Sequence, residues 1–157
     1  MRRLALALLA VGLAGCEAGP APIAYGRAAC AWCRMTISDP RFGAELVARR
    51  GKIYTFDSIE CLAGFVASGQ VAPGDVHSLW VTDFARPPKL VAAKDAVYLR
   101  AGPPRSPMGM GLAAFAERAD LAHARAGSAG DELTWDRVVA GVRDSGFVER
   151  PPAAGAP

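Results

Sequence analysis

Short apolar runs separated by polar residues predict a β-hairpin in the first third of the chain. The two strands are expected over 44–49 and 52–56, where β-favouring residues are frequent. Arg50 and Gly51 between them are typical of a tight turn. A further strand is expected over 78–83, where an apolar run lies between polar residues.

Between these strands the apolar residues recur at the spacing of an α-helix, which predicts a helix over 58–68. Asp57 followed by Glu60 predicts a capping box at the start of the helix, and Gly69 predicts its end. One face of the helix is expected to be buried: Leu62, Phe65 and Val66.

A second set of elements is expected to repeat this pattern at an offset of 44 residues, so that Leu90–Ala92 and Val97-Tyr98 form another strand pair. Ser106 as N-cap and Pro107 in the first turn predict a second helix, which ends at Gly127. The buried face of this helix is expected to hold five residues: Leu112, Phe115, Ala116, Ala119 and Ala122.

Leu133–Trp135 predicts the last strand, and Asp136 begins a final helix that reaches about Ser145. The fold is therefore predicted to be α+β, with two related ββαβ units packed together over 25–85 and 86–149. A chance likeness between short hairpins is the alternative to a repeat. A tail over 150–157, rich in Pro, Ala and Gly, is expected to be disordered.

The composition excludes several classes of protein. Apolar residues make up 52% of the 157, and 17 Gly and 12 Pro show no repeat period, which argues against collagen, coiled coil and general disorder. A formal charge of +3 without a dense basic patch argues against a nucleic-acid partner. One domain, or two very small ones, is expected.

The N-terminus has the pattern of a lipoprotein signal peptide. A short basic segment, Met1–Arg3, precedes an apolar run over 4–13 that is too short to span a membrane. The run ends in Leu13-Ala14-Gly15-Cys16, which predicts removal of residues 1–15 and lipidation of Cys16. Residues 16–24 are expected to form a flexible tether. An ordinary secretory signal with a chance cysteine is the alternative.

Three further cysteines remain after Cys16: Cys30, Cys33 and Cys61. Three thiols cannot all pair within one chain, and free thiols are rare in the oxidising compartment that an export signal implies. Metal binding is the commonest reason to keep them there.

The segment Cys30-Ala31-Trp32-Cys33-Arg34-Met35 points to Cu(I) in particular. Cys33 and Met35 are two residues apart, so an extended backbone would place both sulfurs on one face. A thiolate and a thioether together suit Cu(I), whereas zinc and iron–sulfur clusters seldom use thioethers. We predict Cys33 and Met35 as the ligand pair, with Cys30 as a third ligand.

Other residues are weaker candidates. Met108 and Met110, between glycines, are candidate ligands at the predicted second helix, and Cys61 is a candidate that could equally be a small buried side chain. His77 and His123 are isolated, and scattered aspartates such as Asp57 are expected to be caps or solvated charges.

Three other interpretations of the cysteine segment stay open. Cys30 and Cys33 could form a redox pair, although the following residues do not favour the helix that such pairs usually open. Cys30, Cys33, Cys61 and His77 could form a structural zinc site. Met35 could simply be part of the core.

Taken in order, these motifs resemble the NosL family of nitrous-oxide-reductase accessory lipoproteins. The resemblance covers Ala28 to Val139 and rests on the lipidation site, the Cys-x-x-Cys-x-Met segment, and three later segments: Tyr54–Leu62, Ser106–Gly109 and Leu133–Asp136. It implies two similar ββαβ units and a Cu(I) site containing Cys33 and Met35. Two positions depart from the pattern: Arg34 stands where glycine is expected, and Lys89 where an aromatic residue is more usual.

The resulting hypothesis is a lipid-anchored periplasmic Cu(I) metallochaperone, not an enzyme, which the resemblance implies supplies copper to nitrous oxide reductase or its assembly machinery. Glu17 instead of aspartate after Cys16 favours the outer membrane. The alternatives are a membrane-tethered thiol–disulfide oxidoreductase that uses Cys30 and Cys33, and a zinc-stapled binding module.

Overall fold

The computed structural model describes residues 19–102, 105–126 and 129–148. Cys16, the predicted signal peptide and the tail over 150–157 therefore lie outside the described residues. Seven strands and three α-helices follow one another in the described part: β1 (Ala44–Ala48), β2 (Ile53–Phe56), α1 (Ile59–Ala67), β3 (Val76–Thr82), β4 (Leu90–Ala92), β5 (Val97–Ala101), β6 (Leu112–Phe115), α2 (Arg118–Arg125), β7 (Gly130–Leu133) and α3 (Trp135–Asp144). None of the helices in these ranges is long and apolar enough to cross a bilayer.

The strands form two small antiparallel sheets, one in the order β2-β1-β3-β4 and the other in the order β6-β5-β7. In each sheet the first strand of a hairpin also pairs with the strand that follows a helix: β1 pairs with β2 and β3, and β5 with β6 and β7. The mixed α and β class predicted from the sequence is confirmed.

The early elements agree with the sequence pattern, except at the start of α1. The predicted capping box is wrong: Ser58, not Asp57, is the N-cap, and its hydroxyl accepts a hydrogen bond from the Cys61 N–H at 3.2 Å. Ser58 satisfies one of the free amides of the first helical turn. The carboxylate of Asp57 is therefore available for another role.

The second helix is shorter and later than predicted. Leu112–Phe115 is strand β6, all four of its residues are buried, and α2 begins only at Arg118. Gly109 and Gly111 have φ of 80° and 69°, and a Cβ at Gly111 would lie 2.0 Å from the Ala101 carbonyl oxygen. A continuous helix from Ser106 is impossible with this left-handed backbone and this close strand contact.

The pairing of Leu90–Ala92 with the strand at Val97 is also wrong. β4 pairs with β3 and extends the first sheet, while β5 pairs with β6 and β7 in the second. The similar spacing of residues at an offset of 44 therefore does not mean that the two segments form equivalent hairpins. At the end of the chain, Trp135 begins α3 instead of ending the last strand.

The two sheets share one main core. Asp83, just after β3, forms a parallel bridge with Ala114 of β6, and the Phe84 N–H donates to the Ala114 carbonyl at 2.8 Å. Helix α3 packs against α1, so the last helix of the chain supports an early one. Cys30, Trp32 and Cys61 lie in this core together with residues from both sheets.

Candidate metal centre

A tight loop before β1 carries the cysteine segment. Ala29 and Thr36 form an antiparallel bridge, and the Cys30 N–H donates to the Met35 carbonyl at 2.8 Å, which closes the loop between them. The Ala31 N–H donates to the Thr55 carbonyl of β2 at 2.8 Å, so the loop is fixed to the edge of the first sheet. The sequence therefore folds back here instead of continuing as a strand.

Three elements bring four metal-binding side chains together. Cys30 and Cys33 come from the loop, Asp57 directly follows β2, and Cys61 lies in the first turn of α1. One ligand atom from each residue lies within 4.8 Å of all the others. We call this group the thiol cluster: Cys30, Cys33, Asp57 and Cys61.

Within the part of the chain that the structure describes, Cys33 is the most exposed member of the thiol cluster. Cys30 and Cys61 are completely buried, and Asp57 is only 3% exposed. Cys33 is partly exposed, and its thiol donates to Asp57 Oδ1 at 3.5 Å. Cys33 is therefore the member that a metal ion from solvent would contact first.

The acidities of the three thiols are strongly linked. The Cys33 thiol has a single proton, which can point either to Asp57 or to the Cys30 sulfur. The neighbouring thiols of Cys33 and Cys61 lower the pKa of Cys30, because each can direct its proton to that sulfur. Main-chain N–H groups of Asp57 and Cys33 act in the same direction. Donation to Cys30 raises the pKa of both Cys33 and Cys61. These surroundings favour the thiolate form of Cys30 over those of Cys33 and Cys61.

Asp57 is affected by the same surroundings. Burial raises the pKa of Asp57 to about 6, and the charge on Cys30 acts in the same direction. A carboxylate that is buried beside thiols is costly unless a cation or donor compensates it. A bound cation would lower that cost for every member of the cluster.

Trp32, between the two loop cysteines, holds the loop against the core. It is 4% exposed, stacks on Phe147 with ring centroids 6.2 Å apart, and meets Phe65 of α1 edge-on at 6.5 Å. Gly64 of α1 leaves the necessary space, because a Cβ there would lie 3.0 Å from the Phe147 ring and 3.3 Å from Trp32. This packing fixes the positions of Cys30 and Cys33 relative to Cys61.

The structure corrects the geometric argument for Met35. Cys33-Arg34-Met35 is not extended, because Arg34 has φ of 66°, in the left-handed region. The Met35 side chain is 52% exposed, while its main-chain N–H donates towards the Cys33 sulfur. Met35 thus lies at the rim of the cluster, and its backbone supports Cys33.

The other predicted residues lie in several places. Met108 and Met110 are partly buried against the main core. Ser106 fixes the loop that carries them: its hydroxyl donates to the Glu60 carboxylate and accepts a hydrogen bond from the Gly111 N–H. His77 and His123 are both exposed on the surface, outside the thiol cluster. The histidine of the hypothetical zinc site is therefore not part of the cluster.

Sequence reasoning missed Asp57 and gave Cys61 too little weight. The expectation that Asp57 is a cap or a solvated charge is wrong, since its side chain is buried in the cluster. The spacing Asp57-x-x-x-Cys61 at a strand-to-helix junction is the signal that could have found both. An acidic residue and a cysteine one helical turn apart can both face back towards a loop that packs on the strand.

Comparison with known proteins identifies the family and supports the fold. The sequence model of the NosL family matches residues 22–141. The crystal structure of the copper chaperone NosL from Shewanella denitrificans is similar, with a TM-score of 0.64 and 19% sequence identity over 74% of this chain and 93% of that chain. No curated protein matches the sequence. Because the family match spans most of the residues, the chain belongs to the NosL family.

Proposed function

We propose that this protein is a Cu(I) carrier, not an enzyme, and that the thiol cluster is its copper site. The main support for the proposal is that three thiols lie close together in a member of the NosL family. The structural relative from Shewanella denitrificans is a copper chaperone. Soft sulfur ligands are the ones that Cu(I) prefers.

The spacing of the cluster suits a small ion. Metal–sulfur bonds of about 2.3 Å need sulfurs about 3.8–4.0 Å apart in trigonal or tetrahedral sites. Ligand atoms within 4.8 Å of one another need to move by less than an ångström to reach this geometry. Because Trp32 holds the loop backbone against the core, the side chains of the loop cysteines would make this small movement.

We propose that copper first contacts Cys33 and Met35 when it binds, and that it leaves the site past the same two residues. Cys33 is the partly exposed member of the cluster, and the exposed thioether of Met35 lies two residues away. Copper would meet these sulfurs first, then gain the buried sulfurs of Cys30 and Cys61 as thiol protons are released. We retain Met108 and Met110 as weaker candidate ligands.

We further propose that the carrier is a lipoprotein that faces the periplasm and supplies copper for nitrous oxide reductase or its assembly machinery. The Leu13–Cys16 pattern supports the anchor, and Glu17 favours the outer membrane. The NosL resemblance supports the acceptor. A lipid anchor would hold the carrier in the compartment where the acceptor matures.

The lipid anchor can be tested at Cys16. We expect Cys16→Ser either to leave the precursor uncleaved or to release soluble protein, because the serine hydroxyl cannot replace the thiol that is lipidated. Fractionation and mass determination of the N-terminus measure this, with Cys61→Ser as a matched control that stays in the membrane fraction. A Cys16→Ser protein of mature length in the membrane fraction would exclude the lipoprotein.

A zinc-binding module is the alternative to a copper carrier, and one observation favours it. Asp57 completes a set of three cysteines and one carboxylate, which is a four-ligand set that zinc accepts. A thiol–disulfide oxidoreductase is less well supported, because Cys30 is completely buried and the pair lies in a loop instead of at a helix start.

Metal competition distinguishes the two metals. The reduced protein is equilibrated under anaerobic conditions with Cu(I) and Zn(II), each buffered by a chelator, and the bound metals are measured. We expect one Cu(I) per chain and Zn(II) that Cu(I) displaces. Stoichiometric zinc that resists Cu(I) would contradict the carrier and support the zinc module.

We also propose that the two halves of the fold are related ββαβ units. The support is the shared connection order, in which β1-β2-α1-β3 and β5-β6-α2-β7 each form an antiparallel hairpin whose first strand pairs with the last strand. The thiol cluster belongs to the first of these units alone.

A further inference from the structure

Arg34 has an unusual backbone conformation at the mouth of the thiol cluster. It is the non-glycine residue with positive φ, at 66°, among the residues that the structure describes. Its N–H donates to the Cys30 carbonyl at 3.1 Å, so the conformation is part of the loop that holds the cysteines. Glycine adopts this conformation without steric cost, whereas arginine does not. A strained residue of this kind at a site is a reason to look for a role of its side chain.

Arg34 and Met35 lie side by side on the surface next to the thiol cluster. Arg34 is exposed and forms no ion pair with the side chains of the described ranges. Met35 beside it is 52% exposed and is the large apolar side chain that stands open in those ranges. Cys33, which precedes both, is the partly exposed thiol of the cluster. A free cation and a free apolar group thus border the path to the metal site.

We propose that Arg34 is the docking contact for a copper acceptor whose own copper site is bordered by carboxylates. This inference rests on the proposed function, and it adds the chemical nature of the partner. Arg34 would attract the acidic rim and so hold it beside the exposed sulfurs of Cys33 and Met35. The arrangement brings the acceptor's ligand directly to Cys33.

Copper transfer at this contact involves no change in oxidation state. The acceptor's sulfur or nitrogen forms a bond to Cu(I), the bond to Cys33 breaks, and the remaining protein bonds follow in turn. Exchange of this kind is faster when the incoming ligand is concentrated near the site, and a fixed positive charge does this for an anionic partner. The fixed charge of Arg34 therefore affects the rate for anionic acceptors and leaves that for neutral acceptors nearly unchanged.

The test uses two copper-binding chelators of different charge. The full-length chain, in neutral detergent and loaded with Cu(I), is mixed with anionic bathocuproine disulfonate or with neutral neocuproine, and the transfer rates are followed by absorbance. Arg34→Gly removes the charge and relieves the backbone, while Arg34→Lys keeps the charge. Arg50→Gly is the matched control, since it removes the same charge from the β1–β2 turn, about 20 Å along the strand from the cluster.

We expect Arg34→Gly to slow transfer to the disulfonate by about 3- to 10-fold at low ionic strength. The effect should disappear in about 0.5 M salt. Transfer to neocuproine should be unchanged, Arg34→Lys should retain the wild-type rate, and Arg50→Gly should have no effect. The Arg34→Gly protein should also melt about 2–4 °C higher, because glycine fits the left-handed backbone.

Opposite effects on stability and on transfer would show that the side chain is kept for docking. Equal rates of Arg34→Gly and wild type with the disulfonate at low salt would overturn the proposal, as would equal slowing with both chelators. So would loss of binding to anionic phosphatidylglycerol vesicles with unchanged chelator rates, since this would assign Arg34 to the membrane. Failure of the wild-type chain to take up Cu(I) at all would instead contradict the copper carrier itself, and the docking contact with it.

Discussion

Replacing Cys61 with serine is expected to weaken Cu(I) binding by at least about a hundredfold. Changes to groups that merely support metal ligands cost 10- to 100-fold, so the loss of one of three clustered sulfurs should cost more. The serine is of nearly the same size and keeps the N–H that donates to Ser58, so the first turn of α1 remains intact. Competition with a Cu(I) chelator under anaerobic conditions measures the affinity.

Two further measurements separate the metal effect from an effect on folding. Cys61→Ala removes the sulfur without adding a hydroxyl to the core, and it should lose Cu(I) to the same extent. The unfolding midpoint of the metal-free variants shows whether the fold persists. Wild-type affinity in both variants would show that Cys61 is only a buried core residue and would return the site to Cys33 and Met35.

The sequence predicts the cysteine segment but not the complete cluster. Cys30, Cys33 and Met35 are recognisable because they are close together along the chain. Asp57 and Cys61 are more than twenty residues away, and they join the others only because the Ala31–Thr55 hydrogen bond fixes the loop to β2. Long-range contacts of this kind leave no local pattern in the sequence. The sequence around Asp57 therefore indicates an ordinary helix cap, although its carboxylate is buried.

Replacing Trp32 with alanine is expected to lower the free energy of unfolding of the metal-free protein by about 3–5 kcal/mol. Trp32 is almost completely buried between Phe65 and Phe147, and its removal leaves a cavity that the rigid helix cannot fill. The same variant should bind Cu(I) less tightly, because the positions of Cys30 and Cys33 are no longer fixed. Urea unfolding of the reduced protein measures the stability.

Trp80 supplies the matched control. It is a partly buried tryptophan of β3, and its indole N–H donates to the Ser78 hydroxyl at 2.9 Å on the side of the sheet that borders His77 and Trp135. We expect Trp80→Ala to cost about 1 kcal/mol and to leave Cu(I) affinity unchanged. Equal losses for both variants would contradict the special role of Trp32.

Local patterns also explain which parts of the fold the sequence predicts. β1 and β2 are short runs on either side of a Gly turn, α1 has the apolar spacing of a helix, and the structure has all three close to the expected bounds. The run Leu112–Phe115 fits a helix and a buried strand equally well, because every one of its residues is apolar and buried. The strand is favoured by the positive φ angles of Gly109 and Gly111 and by the close contact of Gly111 with β5.

The stacking of Trp32 on Phe147 also has a consequence for the order in which the chain assembles. The two rings meet across 114 intervening positions, and α3, which leads to Phe147, is the last described helix. The three thiols of the cluster therefore depend for their packing on a residue far away in the sequence, and so distant a contact forms slowly. The thiols stay unshielded until this contact forms, so a chain that folds in an oxidising compartment is most vulnerable to oxidation during that interval.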